Sequence, residues 1–270
     1  MAPGTSTSLL DELFARTRAE GRAALVGYLP AGFPDVETSI AALTAMIEGG
    51  CDLVEIGLPY SDPVMDGPTI QEAAETALAH GFRTSQAFDV VREVARTGAP
   101  AVVMTYWNPV ERYGVDRFAA DLAAAGGAGL ITPDLIPDEA QEWEAASRTH
   151  GLDRTYLVAP SSTDVRLAMT AEAASGFIYA TAVMGVTGAR EQTSSLAPEL
   201  VSRLREVTDK PVGVGLGVSN GAQAHEIAQY ADAVIVGSAF VRRLLDAPDA
   251  ASGVASVREL AQELRAGVQR

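Results

Sequence analysis

The sequence predicts a (β/α)8 barrel with one extra helix ahead of the first strand. Three features carry that prediction. Eight short apolar runs recur about every 25–40 residues, amphipathic stretches separate them, and the length suits eight strand–helix units. The chain has 270 residues and shows no composition shift or linker, so residues 1–270 are expected to form a single barrel domain, with 1–7 a flexible tail.

The strand runs are 24–29, 53–58, 101–106, 129–132, 155–158, 177–181, 212–215 and 233–236. The first helix inside the barrel pattern spans 35–48. Asp35 suits its N-cap, and Val36, Ile40, Leu43 and Ile47 form one stripe. Further helices are expected near 70–79, 115–125, 138–149, 164–175, 196–207, 219–230 and 252–267, with the extra helix over 8–20. The segments EGGCDLVEI (48–56) and AGGAGLITPDL (125–135) echo each other, each running from a Gly-Gly helix stop into a strand. The rival fold, a doubly wound open sheet, calls for a Gly-x-Gly-x-x-Gly turn after the first strand. YLPAGFPD (28–35) does not supply one.

Composition narrows the function. A net charge of −15 opposes binding to nucleic acid or to anionic membranes. No apolar run approaches the roughly 20 residues that span a bilayer. The N-terminus lacks the basic and apolar regions of a signal peptide, and Cys51 is the sole cysteine, so a reducing cytoplasm is the expected location.

The stretch VEIGLPYSDPVMDGPTIQEA (54–73) concentrates the chemistry. Glu55 lies in an apolar strand, where desolvation disfavours its charge and raises its pKa. Strand parity points it either into the barrel or under a helix. None of the expected strands carries lysine or arginine, so a strand-borne ion-pair partner is absent, although an arginine on a helix or loop could reach it. A carboxyl group so placed is a candidate general acid–base. In the loop that follows, Asp62 is read as a turn residue held by an Asx bond to the backbone. Asp66 either has a turn or N-cap role or is free for chemistry, the latter if Thr69 caps the next helix.

Three glycine-rich stretches follow the last three strands, at 185–188, 213–219 and 237–238. Glycine lets a backbone approach an anion closely, and these loops of a barrel commonly hold phosphate. The alternative is tight turns without a ligand. Lys210, the only lysine, precedes its strand and so sits at the face away from the chemistry, which disfavours Schiff-base catalysis. His80, His150 and His225 fall in or just after helices of the outer ring and make a poor metal cluster, so no metal site is expected. Carboxylate acid–base chemistry on a phosphorylated small molecule remains.

LVEIGLPYSDPVMDGPTIQ resembles the signature of the tryptophan synthase α subunit family. GYLPAGFPD, MTYWNPVERYG, LITPDLIPDEA, YATAVMGVTGAR, GVGLGVS and VIVGSAF extend the likeness, in order, across nearly the whole chain. The resemblance implies a (β/α)8 TIM barrel that cleaves indole-3-glycerol phosphate to indole and glyceraldehyde 3-phosphate. It implies that Glu55 is the acid–base and that Asp66 holds the indole N–H. It also implies that Tyr179 lies near the glycerol moiety, that Thr187 positions the loop aspartate, and that Gly188, Gly217, Gly237 and Ser238 cradle the phosphate. Tyr28, Tyr106 and Asp134 would fall near the indole pocket or a partner surface, although Tyr106 and Tyr179 equally suit strand-end packing.

By the same resemblance this chain needs no cofactor. Pyridoxal phosphate belongs to a β-subunit partner, expected in an α2β2 complex. The 108–114 segment, read as a loop, offers one candidate surface for it. Tyr60 departs from the family's common Phe, and Ala182 and Val183 replace the Ser and Arg of some members, which bears on how the adjacent loop closes. Three other readings stand beside this one: a free-standing lyase releasing indole, an isomerase of a related phosphate barrel, and a non-catalytic regulatory barrel subunit.

Overall fold

The computed structural model describes residues 7–181, 196–215 and 217–270. Eight parallel strands close into a barrel in strict chain order, β1 to β8, with β8 returning to β1. The chain runs α1 (Leu9–Ala19), β1 (Ala24–Pro30), α2 (Val36–Glu48), β2 (Leu53–Gly57), α3 (Pro68–Ala79), α4 (Thr84–Ala95) and β3 (Ala101–Met104). It continues with α5 (Trp107–Tyr113), α6 (Val115–Ala124), β4 (Gly129–Thr132), a 3-10 turn (Pro137–Glu139), α7 (Gln141–His150), β5 (Asp153–Val158), α8 (Asp164–Ala173) and β6 (Ile178–Thr181). The last part holds α9 (Leu196–Arg205), β7 (Val212–Gly215), α10 (Gly221–Ala228), β8 (Ala233–Val236), α11 (Ser238–Leu245) and α12 (Ala250–Gly267).

Two apolar layers result from strand parity. Outward residues such as Val54, Ile56, Val103 and Val234 pack under the ring of helices. Inward residues such as Val26, Leu53, Val102, Ile131 and Ile235 fill the barrel. The extra helix α1 closes the N-terminal end. Its Leu10, Leu13 and Phe14 join the interior cluster, and the Phe14 ring meets Phe177 at 5.7 Å. Ser8 caps α1 reciprocally with Asp11, which fixes the start of this plug.

Asp35 caps α2 through the Thr38 amide, as expected. The stripe on α2 is rotated from the expected one. Leu43 is buried with Ser39, Ala42 and Met46, while Val36, Ile40 and Ile47 are only partly buried. The two Gly-Gly stops behave alike: Gly50 and Gly126 both have positive φ, at 113° and 87°, just before their strands.

Several expectations are corrected. Strand 101–106 ends at Met104, and the segment read as a loop over 108–114 is the helix α5, with Pro109 in the first turn where its missing N–H costs nothing. Helices α4 and α11 were not anticipated. The α4 stripe Ala87, Val90, Val91 and Val94 is plainly periodic, but it is the second helix of one unit. β5 begins at Asp153 and therefore carries Arg154, contrary to the reading of strands free of basic residues. Arg154 bonds to the Ala173 carbonyl and the Ser147 hydroxyl, on the helical side of the sheet.

At the N-terminal face the Lys210 ammonium donates to the carbonyls of Ala171, Glu172 and Ala174, far from the opposite mouth. The three histidines lie apart, bonded respectively to the Pro34 carbonyl, Asp116 and the Gln269 carbonyl. Among the described residues no helix is long and apolar enough to cross a membrane.

Candidate active site at the C-terminal mouth

The parity left open by the sequence is resolved at β2. Leu53 belongs to the barrel interior, so Glu55 and Gly57, two and four residues on, point inward as well. Glu55 is 1 % exposed, and neither carboxyl oxygen has a hydrogen-bond partner among the described residues. Burial alone pushes its pKa up to about 8. Among the described residues no arginine reaches it, so the structural ion pair allowed by the sequence is not formed there.

Two tyrosines flank this acid. Tyr28 on β1 pairs in register with Glu55, and a Cβ added to Gly57 would run into the Tyr28 phenol. Tyr28 also lies against Gly237, where an added Cβ would be 3.2 Å from its ring. Tyr179 on β6 stands over Gly215 in the same way. Gly213 and Gly215 are thus part of strand β7, not of the loop after it, and their missing side chains make room for the aromatic rings of Phe177 and Tyr179. Burial raises both tyrosine pKa values, and the Glu55 charge raises them further.

The loop after β2 brings in the second carboxylate. Asp66 precedes α3, whose N-cap is Gly67 with no side-chain cap bond, so Asp66 is not the cap. Thr69 does not cap the helix either. It lies in the first turn, and its hydroxyl accepts from Arg242 of α11 at 2.8 Å. Asp66 instead accepts from the Tyr106 hydroxyl at 3.1 Å, and its own carbonyl is held by the Gln71 amide at 2.7 Å. Burial raises the Asp66 pKa, and the Tyr106 bond counters only part of that rise. Asp66 also acts on the Tyr28 phenol, as Glu55 does, which places both carboxyl groups around one ring. Asp62 is exposed and accepts from the Ser61 hydroxyl at 2.5 Å, in place of the expected Asx bond to the backbone.

Tyr106 is not strand-end packing. It occupies the N-cap position of α5, meets Tyr60 ring to ring at 5.3 Å, and its hydroxyl accepts from the Met65 amide at 3.0 Å. Asp134, on the loop after β4, accepts from the Trp107 amide at 2.9 Å and so caps the start of α5.

Gly237 and Ser238 form the start of α11, whose first amides face the mouth end of β8. A short extra helix after strand 8 is the usual anion-binding element of such barrels. Its amphipathic pattern, FVRRLL (240–245), was the missed signal. Gly217 after β7 has φ of +70°, a conformation suited to glycine. Thr187 and Gly188, with Ala182 and Val183, lie outside the described residues.

A closed parallel barrel with carboxyl groups gathered at its C-terminal mouth defines a (β/α)8-barrel enzyme. The family model of the tryptophan synthase alpha chain matches residues 14–269. The chain is 66 % identical over 262 residues to the tryptophan synthase alpha chain of Salinispora tropica, covering 97 % of this chain and 98 % of that one. It is 64 % identical over 261 residues to the alpha chain of Acidothermus cellulolyticus, covering 97 % of each. A solved structure of Mycobacterium tuberculosis tryptophan synthase superposes with a TM-score of 0.93 at 60 % identity, covering 98 % of this chain and all of that one. The chain belongs to the tryptophan synthase alpha chain family. It is accordingly a lyase of tryptophan biosynthesis, and its reaction is the cleavage of indole-3-glycerol phosphate.

Proposed function

We propose that Glu55 and Asp66 divide the chemistry of this cleavage between them. Glu55 gives its proton to the ring carbon that bears the glycerol chain, converting the indole to an indolenine cation. Asp66 accepts the indole N–H and stabilises the positive charge that develops there. The bond between ring and side chain then breaks as the glycerol hydroxyl beside it loses its proton to Glu55. The bonding electrons return to the ring, releasing indole, and the hydroxyl carbon becomes the aldehyde of glyceraldehyde 3-phosphate. The protonated ring serves as the electron sink, so the step needs no lysine or metal. One carboxyl group kept protonated beside one that ionises more readily is a known division of labour in enzymes.

The observation that supports this reading most directly is the buried, unpaired carboxyl group of Glu55, held near neutrality at the barrel mouth. Tyr179 would border the glycerol moiety. Gly188, Gly217, Gly237 and Ser238 would cradle the phosphate on backbone amides, with Thr187 steadying Asp66. Tyr28 and Tyr106 would wall the indole. The same reading gives the chain a β-subunit partner in an α2β2 complex, pyridoxal phosphate bound by that partner, a cytoplasmic location, and a single-domain architecture over residues 1–270.

The test is indole release from indole-3-glycerol phosphate by the wild-type chain, Glu55→Gln and Asp66→Asn, each with and without a tryptophan synthase β subunit. Weak activity that the β subunit stimulates, that Glu55→Gln abolishes and that Asp66→Asn cuts to a small residual rate, is expected. High activity without the β subunit would favour a free-standing lyase, and turnover indifferent to Glu55 would overturn the mechanism.

A further inference from the structure

The loop after β2 is tied to the start of α5 by three side chains that have no part in bond breaking. The Tyr106 hydroxyl stands between two consecutive loop residues, accepting from the Met65 amide at 3.0 Å and donating to Asp66 Oδ1 at 3.1 Å. One phenol thereby fixes both the backbone before Asp66 and the rotamer of its carboxylate. The Tyr106 ring is itself braced by Tyr60, from the other end of the same loop, at 5.3 Å between centroids. Tyr60 is braced in turn, since its hydroxyl accepts from Asn108 Nδ2 of α5 at 3.1 Å. Asn108 and Tyr106 belong to one short element, and α5 is anchored at its N-terminus by Asp134. The loop is therefore held at both ends by a single rigid helix start.

We propose that Tyr106, with Tyr60 and Asn108, is a latch that presets Asp66 for the substrate before the substrate arrives. Tyr106 takes Oδ1, so Oδ2 is the oxygen left for the indole N–H. A carboxylate with one oxygen already engaged has less rotamer freedom to lose on binding. The phenol ring of Tyr60 is needed for its hydroxyl as well as its face, because a phenylalanine there would stack on Tyr106 without accepting from Asn108. Tyr106 and Tyr60 are thus positioning residues acting through Asp66. The inference rests on the proposed role of Asp66 in holding the indole nitrogen.

Two measurements separate the latch from the lyase reading. Hydrogen exchange at the Met65 amide reports the tie without any turnover. In Tyr106→Phe this amide is expected to exchange at least about tenfold faster than in the wild type, with a smaller acceleration in Tyr60→Phe. Kinetics on indole-3-glycerol phosphate then report positioning. Tyr106→Phe is expected to lower kcat by about tenfold with KM changed by less than about twofold. In an Asp66→Asn background the same substitution is expected to cause no further loss, because the group it positions is gone. Unchanged Met65 exchange in Tyr106→Phe, or a full loss of rate on top of Asp66→Asn, would overturn the latch. A wild-type chain that exchanges as expected but releases no indole would sink the lyase mechanism and leave the latch as a purely structural tie, also overturning its positioning role. Thermal melting of each variant checks that the retained ring keeps the fold intact.

Discussion

Tyr28 and Glu55 face each other in register across β1 and β2, a phenol and a carboxyl group side by side inside the barrel. Among the described residues neither has a basic partner; burial raises both pKa values, and the charges of Asp66 and Glu55 raise that of Tyr28 further. That shared reluctance to ionise has consequences for stability as well as for catalysis.

Glu55 has a folded-state pKa of about 8 against an ordinary value of 4.5. Between those values the unfolded chain is ionised at this residue and the folded chain keeps its proton. The folded state binds more protons, so this group's contribution to stability is full below the lower value and is lost as pH rises toward the upper one. Glu55→Gln removes the titration. Its stability relative to wild type is expected to rise by a few kcal/mol, in order of magnitude, between about pH 5 and about pH 9. Urea denaturation of both proteins at the two pH values checks this, and parallel pH dependence would contradict it.

The same group sets the pH profile of the reaction. A protonated Glu55 is needed for the first step, so kcat/KM is expected to fall above about pH 8. Steady-state rates across pH with the free chain locate that limb. A profile flat through pH 9 would show that the proton comes from elsewhere.

Gly57 is a glycine because the Tyr28 phenol occupies the volume of a Cβ there. Gly57→Ala is expected to displace that phenol and reduce turnover by about tenfold or more, a cost of about 1.4 kcal/mol or more on the barrier. A double variant with Tyr28→Phe shortens the ring by its hydroxyl and is expected to recover part of the loss. Activity measured in the two single variants and the double variant tests the packing relation directly.

At the opposite face Arg22 grips Asp52 through two bonds of 2.7 and 2.8 Å, and Asp52 also accepts the Leu25 amide at 2.9 Å. Arg22 is 4 % exposed, so removing Asp52 takes away both of these bonds and leaves the buried guanidinium Glu20 as its remaining carboxylate partner among the described residues. Asp52→Ala is expected to cost about 3–5 kcal/mol of stability. Activity per folded molecule should be unchanged, because the pair lies at the far end of the barrel from the carboxyl groups. Denaturant midpoints and active-site-normalised rates separate the two effects.

Much of the fold was legible because barrel strands buried on both faces read as clean apolar runs. The runs 129–132, 212–215 and 233–236 coincide with β4, β7 and β8. What was missed follows one pattern. α4, α5 and α11 each share their strand–helix unit with another helix, α4 following α3 while α5 and α11 precede α6 and α12, and alternation alone predicts a single helix per unit. β5 began two residues early because Asp153 and Arg154, polar in sequence, still make ladder bonds at the edge of the core. At the site, Glu55 and Asp66 stood out by residue type and position. The Tyr106–Asp66 bond did not, since 40 positions separate the partners and nothing local marks them as neighbours.

The sequence by itself determined the barrel, the candidate carboxyl pair and the family, because apolar periodicity and a dense motif are local properties that survive without coordinates. Only the tertiary structure decided that Glu55 points inward, that no cation among the described residues reaches it, and that the Asp66 carboxylate is held by a tyrosine and does not cap its own helix. Those outcomes depend on barrel closure, which turns strand parity into direction and brings β1, β2, β3 and β6 around one volume. Desolvation acts on that volume, and it exists only once the eighth strand has met the first.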